Sequence, residues 1–111
     1  MHITDETLTD AQVVHVSGRL DSTTSPLLEQ YLLSVVESHP RVIVDFTRLD
    51  YISSAGLRVL LMAAKKSRAR SGAFALCALK PALREVFEIS GFLSIIAVHP
   101  DAESARQAFS S

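Results

Sequence analysis

The sequence contains one cysteine, Cys77, among 111 residues. An internal disulfide is therefore excluded, and so is a multi-cysteine metal centre. Neither sign of charge dominates: 11 Lys and Arg stand against 12 Asp and Glu, for a formal net charge of -1. Nucleic-acid binders carry a basic excess gathered on one face, so no nucleic-acid partner is expected. Long apolar runs are missing too. The longest, residues 59–64, falls far short of the roughly 20 residues that span a bilayer, and no membrane association is expected. The opening MHITDETLTD is acidic and polar, unlike a secretory signal, which makes the cytoplasm the expected location. Chemistry-bearing motifs are absent as well: there is no G-x-x-x-x-G-K-[ST], no G-x-G-x-x-G and no G-x-S-x-G. His2, His15, His39 and His99 are scattered and carry no zinc-ligand spacing. No cofactor is expected.

What is there is a chain of ordinary globular make-up, 48% hydrophobic and 21% charged. Its length suits one domain over residues 1–111. The apolar period alternates between two and about 3.6 along the sequence. A weak strand pattern at 3–8 suits an edge strand paired with the β-branched run at 13–17, which Gly18 closes. Ser25 before Pro26 reads as a helix start. Leu28, Leu32, Val35 and Val36 then share a helical face that Pro40 terminates. Residues 41–46, RVIVDF, form a strand apolar enough to be covered on both sides, and residues 47–52 read as a loop. Ser53 or Ser54 caps the next helix. Its buried stripe is Leu57, Leu60, Leu61 and Ala64, its last turns carry Lys65, Lys66, Arg68 and Arg70, and Gly72 stops it. A strand at 73–79, a helix from Pro81 to Gly91, a strand at 93–98 and a short helix after Asp101 complete the chain. The order β-β-α-β-α-β-α-β-α predicts an α/β fold, a mostly parallel sheet of about five strands with about four helices. Sites in such sheets gather at the carboxyl ends of strands, here the loops after Ser17 and after Phe46.

One of those loops carries an unusual junction. Residues 45–61, DFTRLDYISSAGLRVLL, place two serines, an alanine and a glycine where a loop becomes a helix. A cap accounts for one serine. The second hydroxyl falls on the exposed first turn, where backbone N–H groups and the helix dipole favour an anion, and Ala55 and Gly56 leave it sterically open. Arg58 lies off the apolar stripe, placed either to meet an acidic surface or simply to be solvated. Cys77, mid-strand, reads as a small buried hydrophobe rather than a reactive thiol. His15 reads as a half-exposed strand residue.

Taken together, GRLD at 18–21 ahead of a helix and ISSAGL between a short loop and a long helix resemble a STAS domain of the anti-sigma factor antagonist type. The resemblance runs nearly end to end, through VVHVSGRLDSTTSPLLEQYL, RVIVDFTRLDYISSAGLRVLLMAAKKSRARSGAFALCAL and LREVFEISGFLSIIAVHPDAESA. It implies a cytoplasmic partner-switching module with no catalytic activity of its own. Unphosphorylated, such a protein binds an anti-sigma factor that is also a serine protein kinase, and the sigma factor is released. The kinase brings ATP and its divalent metal, phosphorylates a serine, and the complex separates; a metal-dependent serine phosphatase resets the switch. Aligned on Gly56-Leu57, the acceptor position falls on Ser54, with Ser53 the fallback, because Ser53 stands where the family often has aspartate. Asp21 matches an acidic position near the phosphorylated loop, and serves equally well as a turn residue. The implied partner-binding set is Asp21, Ser53, Ser54, Ala55, Gly56 and Arg58, on a chain that is a monomer or weak dimer when free. Rival readings are a STAS subunit of a larger signalling scaffold, a regulator of a non-sigma output such as secretion or biofilm, an anion-transporter domain, and a small hydrolase with Ser54 as nucleophile.

Overall fold

Strand and helix periods alternate along residues 1–110, the part of the chain that the computed structural model describes. The elements are β1 (His2–Thr7), β2 (Gln12–Leu20), α1 (Ser25–Ser38), β3 (Arg41–Asp45), β4 (Leu49–Ile52), α2 (Ser54–Ala69), β5 (Ala73–Cys77), α3 (Pro81–Ser90), a 3-10 turn (Phe92–Ser94), β6 (Ala97–His99) and α4 (Ala102–Phe109). The sheet order is β1-β2-β3-β5-β6. β1 is antiparallel to β2, with Ile3 opposite Val16, and the other neighbours are parallel, as an α/β chain requires. β4 pairs in parallel with the end of β2, beyond β3.

Alternation along each strand splits the interior in two. Val14 and Val16, Val42 and Val44, and Leu76 face one side. There they meet Leu28, Leu32 and Val36 of α1, Leu57, Leu60 and Ala64 of α2, and Leu83 and Phe87 of α3. Val13, Ile43, Ala75 and Cys77 face the other, where α4 lays down Ala105 and Phe109. Three helices on one face and one short helix on the other leave the second face partly open beyond β3.

Several local expectations change. Residues 47–52 are not all loop: Leu49 and Ile52 turn inward and 49–52 pair with β2 as a sixth strand. β2 does not stop at Gly18. Gly18 takes φ +91 at a register shift, and pairing resumes from Arg19 to Leu20. Thr24, not Ser25, precedes α1; Ser25 is the first helical residue, and its hydroxyl donates to the Asp21 carbonyl (2.5 Å). Ser71, not Gly72, takes the left-handed position after α2. Gly72 is needed for space, since a Cβ there would lie 2.7 Å from the Pro40 carbonyl oxygen. β5 ends at Cys77 rather than 79, because Ala78 has φ +62. The strand expected at 93–98 is mostly a turn. Gly91 ends α3 in the left-handed region, the Ile96 N–H donates to the Phe92 carbonyl, and only Ala97–His99 extend.

Candidate functional site

The carboxyl ends of β2 and β4 bring two loops together. Leu20 lies opposite Ile52, and the Ser53 N–H donates to the Leu20 carbonyl at 2.9 Å. This bond ties the start of α2 to the turn that leads into α1. In that turn Asp21 Oδ1 accepts the N–H groups of Thr23 and Thr24, each at 3.0 Å. The Thr24 hydroxyl reaches back to the Arg19 carbonyl at 2.8 Å. The Thr24 N–H does most to hold the Asp21 carboxyl below its ordinary range, against the opposing effect of desolvation; the Thr23 N–H, the Thr24 hydroxyl and the Arg19 charge add to it. Asp21 is therefore both a turn residue and an anion beside the tip of α2.

The two serines have different surroundings. Ser53 is the N-cap of α2, with extended backbone and its Oγ accepting the Gly56 N–H at 3.3 Å. Ser54 is the first helical residue. It is exposed, and its hydroxyl makes no hydrogen bond among the described residues. No acidic residue lies in the first turn of α2 itself, so within the helix only the Ser53 cap answers the positive end of the dipole. Ser53→Ala removes the cap acceptor and is expected to cost about 1 kcal/mol, read as a drop of several degrees in thermal unfolding. Ser54→Ala at the neighbouring position should leave the melting temperature unchanged.

Gly56 does something other than keep the surface open. It is buried, and a Cβ built there would lie 2.8 Å from Leu20 Cγ and 3.0 Å from Ile52 Cγ1. Its missing side chain lets α2 seat directly on the strand ends. Ala55 is half-buried beside it, while Arg58 is exposed and makes no ion pair among the described residues. Arg19 and Tyr51 were not legible as site residues, because 47–52 read as loop. Pairing of β2 with β4 sets them opposite one another, with the Arg19 Cζ 4.2 Å from the Tyr51 ring centroid. The β-forming Tyr51-Ile52 pair after Leu49 was the available signal. Asp50 meets Lys80 at 2.6 Å on the same surface.

Other chemistry-bearing side chains lie elsewhere. Cys77 is fully buried, and burial, with Asp45 beside it, pushes its thiol up to about 12. His15 is half-exposed, with Nδ1 at 2.8 Å from Asp45 and Nε2 at 3.2 Å from Glu6. Burial pushes the Asp45 carboxyl up, but the Thr47 hydroxyl and N–H and His15 outweigh it and hold it below the usual range. Cavities of about 770 and 590 Å³ lie away from the amino end of α2; Ser54 lines neither. The described residues contain no group of three or more side chains that could hold a metal. No helix among them is long and apolar enough to cross a membrane.

Comparison with known proteins bears on this tip. A family model described as STAS domain matches residues 2–105. BtrV of Bordetella bronchiseptica, named as a candidate anti-sigma factor antagonist, is 46% identical over 110 residues, covering 98% of this chain and 95% of that protein. The anti-sigma-B factor antagonist of Listeria monocytogenes is 32% identical over 92 residues, 81% of this chain and 80% of its own. The crystal structure of an anti-sigma factor antagonist from Mycobacterium paratuberculosis superposes with a TM-score of 0.90 at 29% identity, covering 99% of this chain and 94% of that one.

Proposed function

The chain belongs to the STAS domain family, among the anti-sigma factor antagonists, and from that premise we propose that it is a partner switch set by phosphorylation of Ser54. Unphosphorylated, it docks the tip formed by Asp21, Ser53, Ser54, Ala55 and Arg58 onto an anti-sigma factor that is also a serine kinase. The kinase transfers the terminal phosphoryl group of its own ATP to Ser54 Oγ, the bond to the β-phosphate breaking with ADP as leaving group and the hydroxyl proton passing to a base on the kinase. The complex then separates, and a serine phosphatase returns the free hydroxyl. Residues 1–111 act as one STAS unit in the cytoplasm, as a monomer or weak dimer, and perform no catalysis of their own.

The observation that carries this reading is the contrast between the serines. Ser53 is spent on its cap, whereas Ser54 presents an unpartnered hydroxyl at a helix end whose first turn holds no acid. The same contrast weighs against a hydrolase. A serine nucleophile needs a base within hydrogen-bond reach, and Ser54 has no such partner among the described residues.

The test is incubation with a purified anti-sigma factor serine kinase of the same organism and ATP, followed by mass-spectrometric mapping. One phosphate is expected on Ser54, none on Ser54→Ala, and normal uptake on Ser53→Ala. Equal incorporation into the Ser54→Ala chain would overturn the assignment.

A further inference from the structure

We propose that the Arg19 guanidinium, seated over the Tyr51 ring, is the docking point for a carboxylate side chain of the anti-sigma factor partner. This rests on the partner-switching reading above and adds residues and a recognition chemistry to it.

Backbone geometry aims the pair outward. Gly18 adopts φ +91 at the register shift of β2, and the next residue, Arg19, emerges exposed opposite Tyr51 of β4. One step further, Leu20 and Ile52 turn inward, and the Leu20 carbonyl holds the Ser53 N–H. Arg19 and Tyr51 thus sit one strand residue behind the tip that carries Ser54.

The donors of Arg19 are unspent. A guanidinium has five N–H groups, and Arg19 makes no hydrogen bond or ion pair through them among the described residues. Arg84 meets Glu88, Arg106 meets Asp10 and Glu103, and Arg70 donates to the Glu37 carbonyl, so those arginines are engaged locally. The nearby acids make no ion pair with it, although the Arg19 charge helps hold the Asp21 carboxyl down. Asp21 binds the Thr23 and Thr24 N–H groups, and Asp50 meets Lys80. Arg19 is the described arginine that rests on an aromatic face.

Stacking changes what such an arginine can do. The ring lies under the guanidinium charge while the N–H groups stay without a hydrogen-bond partner among the described residues, and such groups match a carboxylate with two parallel bonds. It also restricts the side chain before binding, so less rotamer freedom is lost on docking. Tyr51 is 39% exposed and presents the rest of its ring beside that charge. Arg and Tyr are the residue types enriched among side chains that dominate protein interfaces. A whole-chain net charge of -1 suits a single carboxylate better than a polyanion.

The test is calorimetric titration of the unphosphorylated chain with the purified anti-sigma factor kinase. Arg19→Ala and Tyr51→Ala should each weaken binding about tenfold or more, and Arg19→Glu further. Tyr51→Phe, which keeps the ring, should stay within about twofold of the unmodified chain. The double variant Arg19→Ala with Tyr51→Ala should bind about as well as Arg19→Ala alone, because ring and guanidinium act as one unit. Melting temperatures should not move, and Arg19→Ala should flatten the loss of affinity with added salt. Unchanged affinity of Arg19→Ala, with the unmodified chain binding normally, would overturn the docking proposal alone. That result is also expected if Arg19 instead serves only a phosphate on Ser54. Failure of the unmodified chain to bind the kinase would overturn the partner-switching reading together with it.

Discussion

Ser54→Asp is expected to weaken binding to the anti-sigma factor kinase about a hundredfold, while Ser54→Ala binds within about twofold of the unmodified chain. The argument is a balance of two effects at one position. Docking the exposed first turn of α2 takes residue 54 out of water, and an unpaired carboxylate there costs several kcal/mol. The amino end of α2, with no acid in its first turn, returns about 0.3–1 kcal/mol to an anion at that place. The difference is about 2–3 kcal/mol, or close to two decades in affinity. Phosphoserine adds about -1.5 to -2 charges and should act more strongly still. The folded domain should not suffer, since an acid in the first turn of α2 is if anything favourable. Titration of each variant, with a thermal melt as control, decides the matter; equal affinities for the Asp and Ala chains would reject local occlusion as the mechanism.

Gly56→Val should destabilise the fold by about 3 kcal/mol or more, through overpacking against buried side chains. Leu20 and Ile52 are 0% and 5% exposed, and a Cβ at position 56 would press on Leu20 Cγ at 2.8 Å and Ile52 Cγ1 at 3.0 Å. Leu20 Cγ is a branch point and Ile52 Cγ1 a mid-chain methylene, neither a flexible end, so relief requires α2 itself to lift. Gly56→Ala meets the same contact but recovers about 1 kcal/mol of helix propensity, and should come out milder. For a domain of this size the valine change corresponds to a melting temperature lower by more than about 10 °C. A valine variant that melts with the unmodified protein would show that α2 is not seated by that glycine.

Much of this architecture was legible in the sequence because its signals are local. The apolar faces of 28–36 and 57–64, the proline at 81 and the glycine at 91 fix helices by spacing and stereochemistry alone. The antiparallel edge strand at the start paired as its weak alternation implied. What escaped depends on contacts distant in sequence. β4 is four residues long and extends because it lies along β2; the β-forming Tyr51-Ile52 pair hints at a strand, but the pairing that makes it one lies about thirty residues away in sequence. The strand expected at 93–98 carries β-forming Ile95 and Ile96, yet the sheet offers pairing only from Ala97, and Ile96 reaches the core from a turn. At the tip, the resemblance singled out Ser53 and Ser54 together. Their division of labour follows from one hydrogen bond between Ser53 and Gly56 that adjacent positions alone do not specify. Arg19 and Tyr51 escaped with β4, since their meeting is a consequence of its register.

The raised thiol of Cys77 has a practical consequence. A sulfur that is fully buried and protonated far above neutral pH reacts slowly with maleimides and iodoacetamides, which require the thiolate. A cysteine introduced at an exposed position such as Ser22 would then be the preferred point of attachment for a fluorophore or spin label. Real-time observation of docking and release could thus be arranged on the natural background, with no prior removal of the native sulfur.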